Sequence, residues 1–206
     1  KGDYLALATM GFSFVVYSIL LNWIELTRGP LGIPGIPKPQ IFNFNFSDNF
    51  NYLILSFVVA LLTFLIIKRI IETPFGKVLQ AIRDNELVVR VLGKNSFKIK
   101  TISLMIASFF AGLAGSLYAH YITFIDPSSF TLLQLIPILS IVIVGGLASL
   151  RGTVIATIIL TLLPEPLRFI GFPSSIVGPM RQIIFALILL LILIYKPRGF
   201  YGKIEL

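Results

Sequence analysis

Residues Thr73 to Gly93 read TPFGKVLQAIRDNELVVRVLG, a charged segment set between two long apolar runs. Thr73 suits an N-cap, and Pro74 suits the first helical position, where its missing N–H costs nothing. Gly93 supplies a C-terminal stop. Between them Phe75, Val78, Leu79, Ile82, Val89 and Leu92 fall on one stripe, while Lys77, Gln80, Asp84, Asn85 and Arg90 face elsewhere. The spacing predicts one amphipathic helix of about five turns, tied at both ends to apolar segments rather than free at a terminus.

The flanking sequence decides what those segments are. Of 206 residues 56% are hydrophobic and 13% charged, and the mean hydropathy is +0.94, far above a soluble domain. A bilayer core needs roughly 20 apolar residues per helix. Six stretches approach this, at residues 4–24, 52–67, 101–123, 132–150, 153–170 and 182–195. The predicted fold is therefore all-α: a polytopic integral membrane protein of about six transmembrane helices plus the amphipathic helix, in a single transmembrane domain over residues 1–206. The second and last stretches are short, and flanking lysines and arginines can snorkel. The Pro-, Gly- and Asn-dense stretch TRGPLGIPGIPKPQIFNFNFSDN between the first two is a loop. A span close to Lys1, with no initiator Met, leads us to expect a fragment of a longer subunit rather than a cleavable signal peptide.

Threading six spans with alternating sense leaves Arg28, Lys38, Arg168 and Arg181 on one side. The other thirteen of the 17 Lys and Arg residues fall on the side of the N-terminus. That side is cytoplasmic, with both termini of the chain on it, in a multi-pass protein of the cell (inner or plasma) membrane. Topology accounts for the net charge of +8 without nucleic acid. With no cysteine and one histidine, thiolate chemistry and a multi-histidine metal site are excluded, and no catalytic residue, metal or cofactor is expected. An intramembrane enzyme would need a Ser/His/Asp or paired-Asp constellation, which the spans lack.

Several features concern packing. Ala107, Ala111, Gly115 and Ala119 recur every fourth residue in the third span, with Ser108, Gly112 and Ser116 beside them, so that a second backbone can approach closely. Pro137 is expected to break or kink the fourth span, and Gly145, Gly146 and Gly152 to permit tight turning and close helix approach. His120, with Tyr118 and Tyr121, ends the third span where an aromatic belt belongs. Glu165 is expected to pair with Arg168 at the outer interface.

Two readings of residues 73–93 compete. The helix lies on membrane lipid, or it docks into a groove of a cytoplasmic partner through apolar anchors and a mixed-charge rim. Asp84 and Glu86 beside Arg83 and Arg90 favour the protein partner, since lipid binding alone prefers Lys and Arg. Asp84 and Glu86 are equally able to form helix-face ion pairs.

TPFGKVLQAIRDNELVVRVLGKNSFKIK resembles the cytoplasmic loop of permeases from the branched-chain amino-acid (LIV) ABC importers, of the form SPxGRxLxAIRxNExAAxxxG followed by a Lys. ASFFAGLAGSLYAHY, IDPSSF, IVGGLASLRGTVIAT and GPMRQIIFALILLLILIYKPRGFYG are similar to later motifs of that family in the same order. TRGPLGIPGIP favours its M-type subunit. Ala148, Thr153 and Lys196 depart mildly from the pattern, and the family's upstream spans are not seen, in keeping with a fragment. The resemblance implies a type II-like ABC importer moving branched-chain or related amino acids into the cytoplasm. It also implies separate ABC ATPase subunits carrying the hydrolysis, a second permease subunit and an extracytoplasmic solute-binding protein. Phe75, Leu79, Ile82, Arg83, Asp84, Asn85 and Glu86 would then form the ATPase-coupling helix. The alternative is an ion-gradient-driven secondary transporter of small organic solutes; no Asp or Glu lies near the centre of a span, where such a transporter would need one.

Overall fold

The computed structural model describes residues 2–41, 44–131, 134–163 and 174–195. The chain divides into two compact units, Lys1–Pro127 and Ser128–Leu206.

In the first unit α1 (Gly2–Asn22) is followed after Trp23 by the single turn α2 (Ile24–Thr27). The pair Leu7–Asn22 and Ile24–Leu31 is bent by 73°. The Thr27 hydroxyl, donating to the Trp23 carbonyl at 2.8 Å, helps hold this bend. The loop then forms β1 (Ile33–Pro34), β2 (Gln40–Ile41) and β3 (Phe44–Asn45), with β2 and β3 paired antiparallel. Two long helices follow, α3 (Asn49–Glu72) and α6 (Ser96–Ile122), separated by the short α4 (Pro74–Asp84) and α5 (Glu86–Val91). β4 (Phe124–Ile125) closes the unit by pairing with β1. The strands add to the expected all-helical fold, and they are too short for a period-2 pattern to announce them.

At the C-terminal end of α6 the loop is clamped in place. Nδ1 of His120 donates to the Pro37 carbonyl at 2.7 Å, because a carbonyl can only accept. The Ile36 N–H donates to the Thr123 carbonyl at 3.1 Å. Tyr52, near the start of α3, donates its hydroxyl to the Leu117 carbonyl at 2.6 Å and stacks at a tilt on Tyr121. His120 is thus a loop anchor within the aromatic cluster.

The second unit contains α7 (Leu135–Gly145), α8 (Leu150–Leu162) and α9 (Ser174–Tyr195). Val144, Ala156 and Leu160 are fully buried, with Ile141, Phe185, Ile188 and Ile192 packed against them. Gly146, at φ 95°, ends α7, and the Ser149 hydroxyl caps α8 by accepting from the Gly152 N–H at 3.1 Å. A Cβ on Gly152 would collide with the Gly145 carbonyl, and one on Gly145 would sit 2.7 Å from the Gly152 carbonyl carbon. The α7–α8 corner therefore requires glycine at both places.

Helices occupy all six expected stretches, with altered ends. Among the described residues three helices are long and apolar enough to cross a membrane, or up to four if the bent pair is one span, judged by length and composition. α3 runs past the predicted end because Lys68 and Arg69 are good helix formers with snorkelling heads. α8 starts at Leu150 rather than Thr153, following the Ser149 cap. The expected break at Pro137 is corrected: it lies in the first turn of α7, where the bond it removes is absent anyway. Pro179 lies in the interior of α9. Glu165 and Arg168 lie outside the described residues.

Leu53, Phe57 and Leu61 on α3, and Leu104, Met105 and Phe109 on α6, are all exposed. In water such helices would aggregate; in hydrocarbon this is the surface a spanning helix presents.

Candidate coupling site

The turn from α3 into α4 is built by three consecutive devices. Thr73 donates its hydroxyl to the Ile70 carbonyl at 2.6 Å, closing α3. The same oxygen accepts the Gly76 N–H at 3.4 Å, opening α4, with Pro74 at its first position. Gly76 is buried at the inside of this elbow. A Cβ there would overlap the Ile71 carbonyl and lie 2.6 Å from the Ile70 carbonyl oxygen. The backbones of α3 and α4 meet at that residue.

The single five-turn helix expected over residues 73–93 is corrected to two. Asn85 leaves helical geometry at φ −156°, ψ 102°, and its side-chain oxygen accepts from the N–H groups of Leu87 at 3.1 Å and Val88 at 3.3 Å. An asparagine side chain that caps the following turn competes with continuing the helix. α5 then ends as Gly93 predicts. With Gly93 left-handed at φ 75°, its N–H reaches the Arg90 carbonyl and the Lys94 N–H reaches the Val89 carbonyl, the two bonds of a Schellman motif.

The break re-aims the stripe. Ile82 (6% exposed) and Val89 (4% exposed) point into the protein, and Phe75, Val78 and Leu79 are half-buried. Ile82 and Val89 hold α4 and α5 down, while Phe75, Val78 and Leu79 keep part of their surface open. Leu92, expected on the same stripe, is exposed, because the chain has already left the helix there. What α4 presents outward is polar: Lys77, Gln80, Arg83 and Asp84 are exposed, as is Asn85 beyond them. Arg83 and Asp84 pair with each other at 2.7 Å, an exposed contact worth about 0–1 kcal/mol.

Glu86 has a different place from its neighbours. Its Oε1 accepts from Arg90 Nη2 at 2.5 Å and from the Ser96 hydroxyl at 2.9 Å, and its Oε2 accepts from Lys100 Nζ at 2.6 Å. Arg90 Nε donates to the same Ser96 oxygen at 2.9 Å. The hydrogen bonds from Lys100, Ser96 and Arg90 hold the Glu86 carboxyl well below its ordinary value, at about 2, against a smaller opposing effect of desolvation. One carboxylate thus ties α5 to the first turn of α6, which Asn95 opens by accepting from the Lys98 N–H at 3.0 Å. Ser96 and Lys100 had not been singled out from the sequence. Their spacing of four marks one helix face, but nothing local points that face at Glu86.

On α6 the small residues Ala107, Ala111 and Gly112 are exposed and Gly115 is half-exposed. Apart from the neighbouring backbone of α6 itself, no described atom lies within 4 Å of a Cβ built on Gly112 or Gly115. Among the described residues no group of three or more His, Cys, Asp or Glu side chains could hold a metal ion.

A family model described as "Branched-chain amino acid transport system / permease component" matches residues 1–193. The chain is 33% identical, over 97% of its length and 51% of the relative, to the high-affinity branched-chain amino acid transport system permease protein LivM of Escherichia coli (strain K12). It is 30% identical, over 97% of its length and 60% of the relative, to a probable branched-chain amino acid transport permease protein LivM of Methanocaldococcus jannaschii. A shorter match, 31% identical over 44% of the chain and 28% of the relative, is to the guanosine ABC transporter permease protein NupQ of Bacillus subtilis. The chain spans about half the length of the first of these relatives. No solved structure matches it.

Proposed function

The chain belongs to the family of branched-chain amino acid transport permease components, and on that premise we propose that it forms the membrane-spanning part of an importer subunit driven by ATP. In this reading its cargo is a branched-chain or related amino acid, hydrolysis resides on separate ABC ATPase subunits, and a second permease subunit completes the path. A solute-binding protein delivers the cargo on the far side. The match to a guanosine permease makes the cargo the least constrained part of the proposal. The six helical stretches serve as spans, residues 68–100 face the cytoplasm together with both ends of the chain, and the assembly sits in the inner or plasma membrane.

The observation that carries the reading is the mounting of α4. Its polar face of Lys77, Gln80, Arg83 and Asp84 is exposed, while Gly76 fixes its start against α3 and, through α5, Glu86 ties its end to α6. A push on such a helix moves two spans together, which is the rigid-element coupling an ATPase needs in order to alternate access. Gly145, Gly146 and Gly152 serve in this scheme as fixed corners, and the Ala107, Ala111, Gly112 and Gly115 stripe as a packing face.

Cysteine placed at Gln80 tests this. In the assembled transporter it should cross-link to an ATPase subunit, with a yield that changes when ATP is added. A transporter that assembles and transports without any ATPase within cross-linking reach of Gln80 would refute the coupling role.

A further inference from the structure

α5 carries an apolar face that neither the fold nor the coupling role uses. Val89 is buried and Glu86 and Arg90 bond to each other and to the start of α6, whereas Leu87 (71% exposed), Val88 and Val91 (87% exposed), with Leu92 just beyond the helix, are open. On α5 the positions 87, 88 and 91 are spaced i, i+1 and i+4, which makes them one patch, and exposed Leu92, the residue that caps the helix, follows directly on Val91.

The depth of this patch follows from α6. At 1.5 Å per residue its 27 residues span about 40 Å, against a hydrocarbon core of about 30 Å. The start of α6, which carries Lys98 in its first turn and Lys100 at the opening of its second, therefore stands in the headgroup layer. Because Glu86 bonds both Ser96 and Lys100, α5 lies alongside that first turn, not out in the cytosol. Phe97 (78% exposed) begins an exposed stripe on α6 that continues through Leu104 and Met105 into the span. Lys94 and Lys98 are exposed close in sequence to the patch, and the two acids nearest it in sequence have their charges met, Asp84 by Arg83 and Glu86 by Arg90 and Lys100. Apolar side chains at headgroup depth with a collar of unopposed cations match an anionic phospholipid surface.

We infer that the Leu87, Val88, Val91 and Leu92 face of α5 seats in the anionic headgroup layer of the cytoplasmic leaflet and anchors the coupling loop to lipid, leaving α4 alone to meet a protein. The inference rests on the membrane topology proposed above but not on ATPase docking.

The chain has no cysteine, so single thiols report cleanly once any in the rest of the subunit are replaced. Val91→Cys, and Val88→Cys as an independent second site, carry a fluorescent label in the full transporter, held in nanodiscs of phosphatidylcholine with or without phosphatidylglycerol. Gln80→Cys is the control. At residues 88 and 91 brominated acyl chains should quench the label and aqueous iodide should not, with stronger lipid quenching when phosphatidylglycerol is present and no dependence on the ATPase subunits. The label at residue 80 should be open to iodide until the ATPases bind. Iodide access at both 88 and 91 without lipid quenching overturns the inference, as does protection there that appears only with the ATPases, which would make the patch a protein contact. Absence of ATPase protection at residue 80 would count against the coupling role and leave the lipid result standing.

Discussion

Glu86 on α5 and Lys100 on α6 meet at 2.6 Å. The contact spans fourteen positions of sequence and turns the segment after α4 back onto the next long helix. With Ser96 and Arg90 on the same carboxylate, the loop becomes a bracket fixed at both ends: the glycine elbow at one, this carboxylate at the other.

The bracket depends on pH in one direction. The Glu86 carboxyl has a folded-state value of about 2 against an ordinary 4.5. A lowered carboxylate value contributes stability in full above the ordinary value, and that contribution is lost as pH falls from about 4.5 toward about 2. Hydrogen exchange at the α5 amides, corrected for the intrinsic rate, should show constant protection from neutral pH down to about 5 and falling protection below it. Glu86→Gln should show the weakened protection already at neutral pH and flatten the dependence.

Asn85→Ala removes the acceptor for the Leu87 and Val88 N–H groups. The loss of such a cap costs about 1 kcal/mol, so those two amides should exchange several-fold faster while those of α4 change little. Unchanged exchange at both would mean that the side chain does not hold the break.

Glycines packed against backbone and glycines on an open helix face should respond with opposite signs. Gly76→Ala and Gly152→Ala force a methyl group into neighbouring backbone and should each cost about 1–3 kcal/mol, read as a lower unfolding temperature. Gly112→Ala meets nothing within its unit and should gain about 0.5–1 kcal/mol from helix propensity in the isolated subunit. If the packing face proposed for that stripe receives the second permease subunit, the same substitution weakens their association, which co-purification of the pair reads directly.

What the sequence made legible was local. Thr73, Pro74 and Gly93 announced their caps because a cap is decided within four residues, and the long apolar runs announced α3 and α6 by composition. The break at Asn85 was also local, but the apolar spacing continued across it and masked the competing cap. The inward turn of Ile82 and the reach of Glu86 to Ser96 and Lys100 depend on the turn at residues 92–95, and no periodicity within either helix encodes it. Two-residue strands such as Ile33–Pro34 against Phe124–Ile125 pair across about ninety residues of sequence and leave no pattern of their own.

Uptake by proteoliposomes tests the central claim most directly. The full subunit is reconstituted with its second permease, ATPases and binding protein, and radiolabelled leucine entry is followed with ATP supplied or withheld and with ion gradients intact or collapsed. Uptake should require ATP, persist after ionophores dissipate the gradients, and fall at least several-fold in Arg83→Glu, whose side chain lies on the exposed face of α4, while that variant still assembles. Uptake that continues without ATP and disappears with an ion gradient would contradict it, and would make the chain part of a secondary transporter.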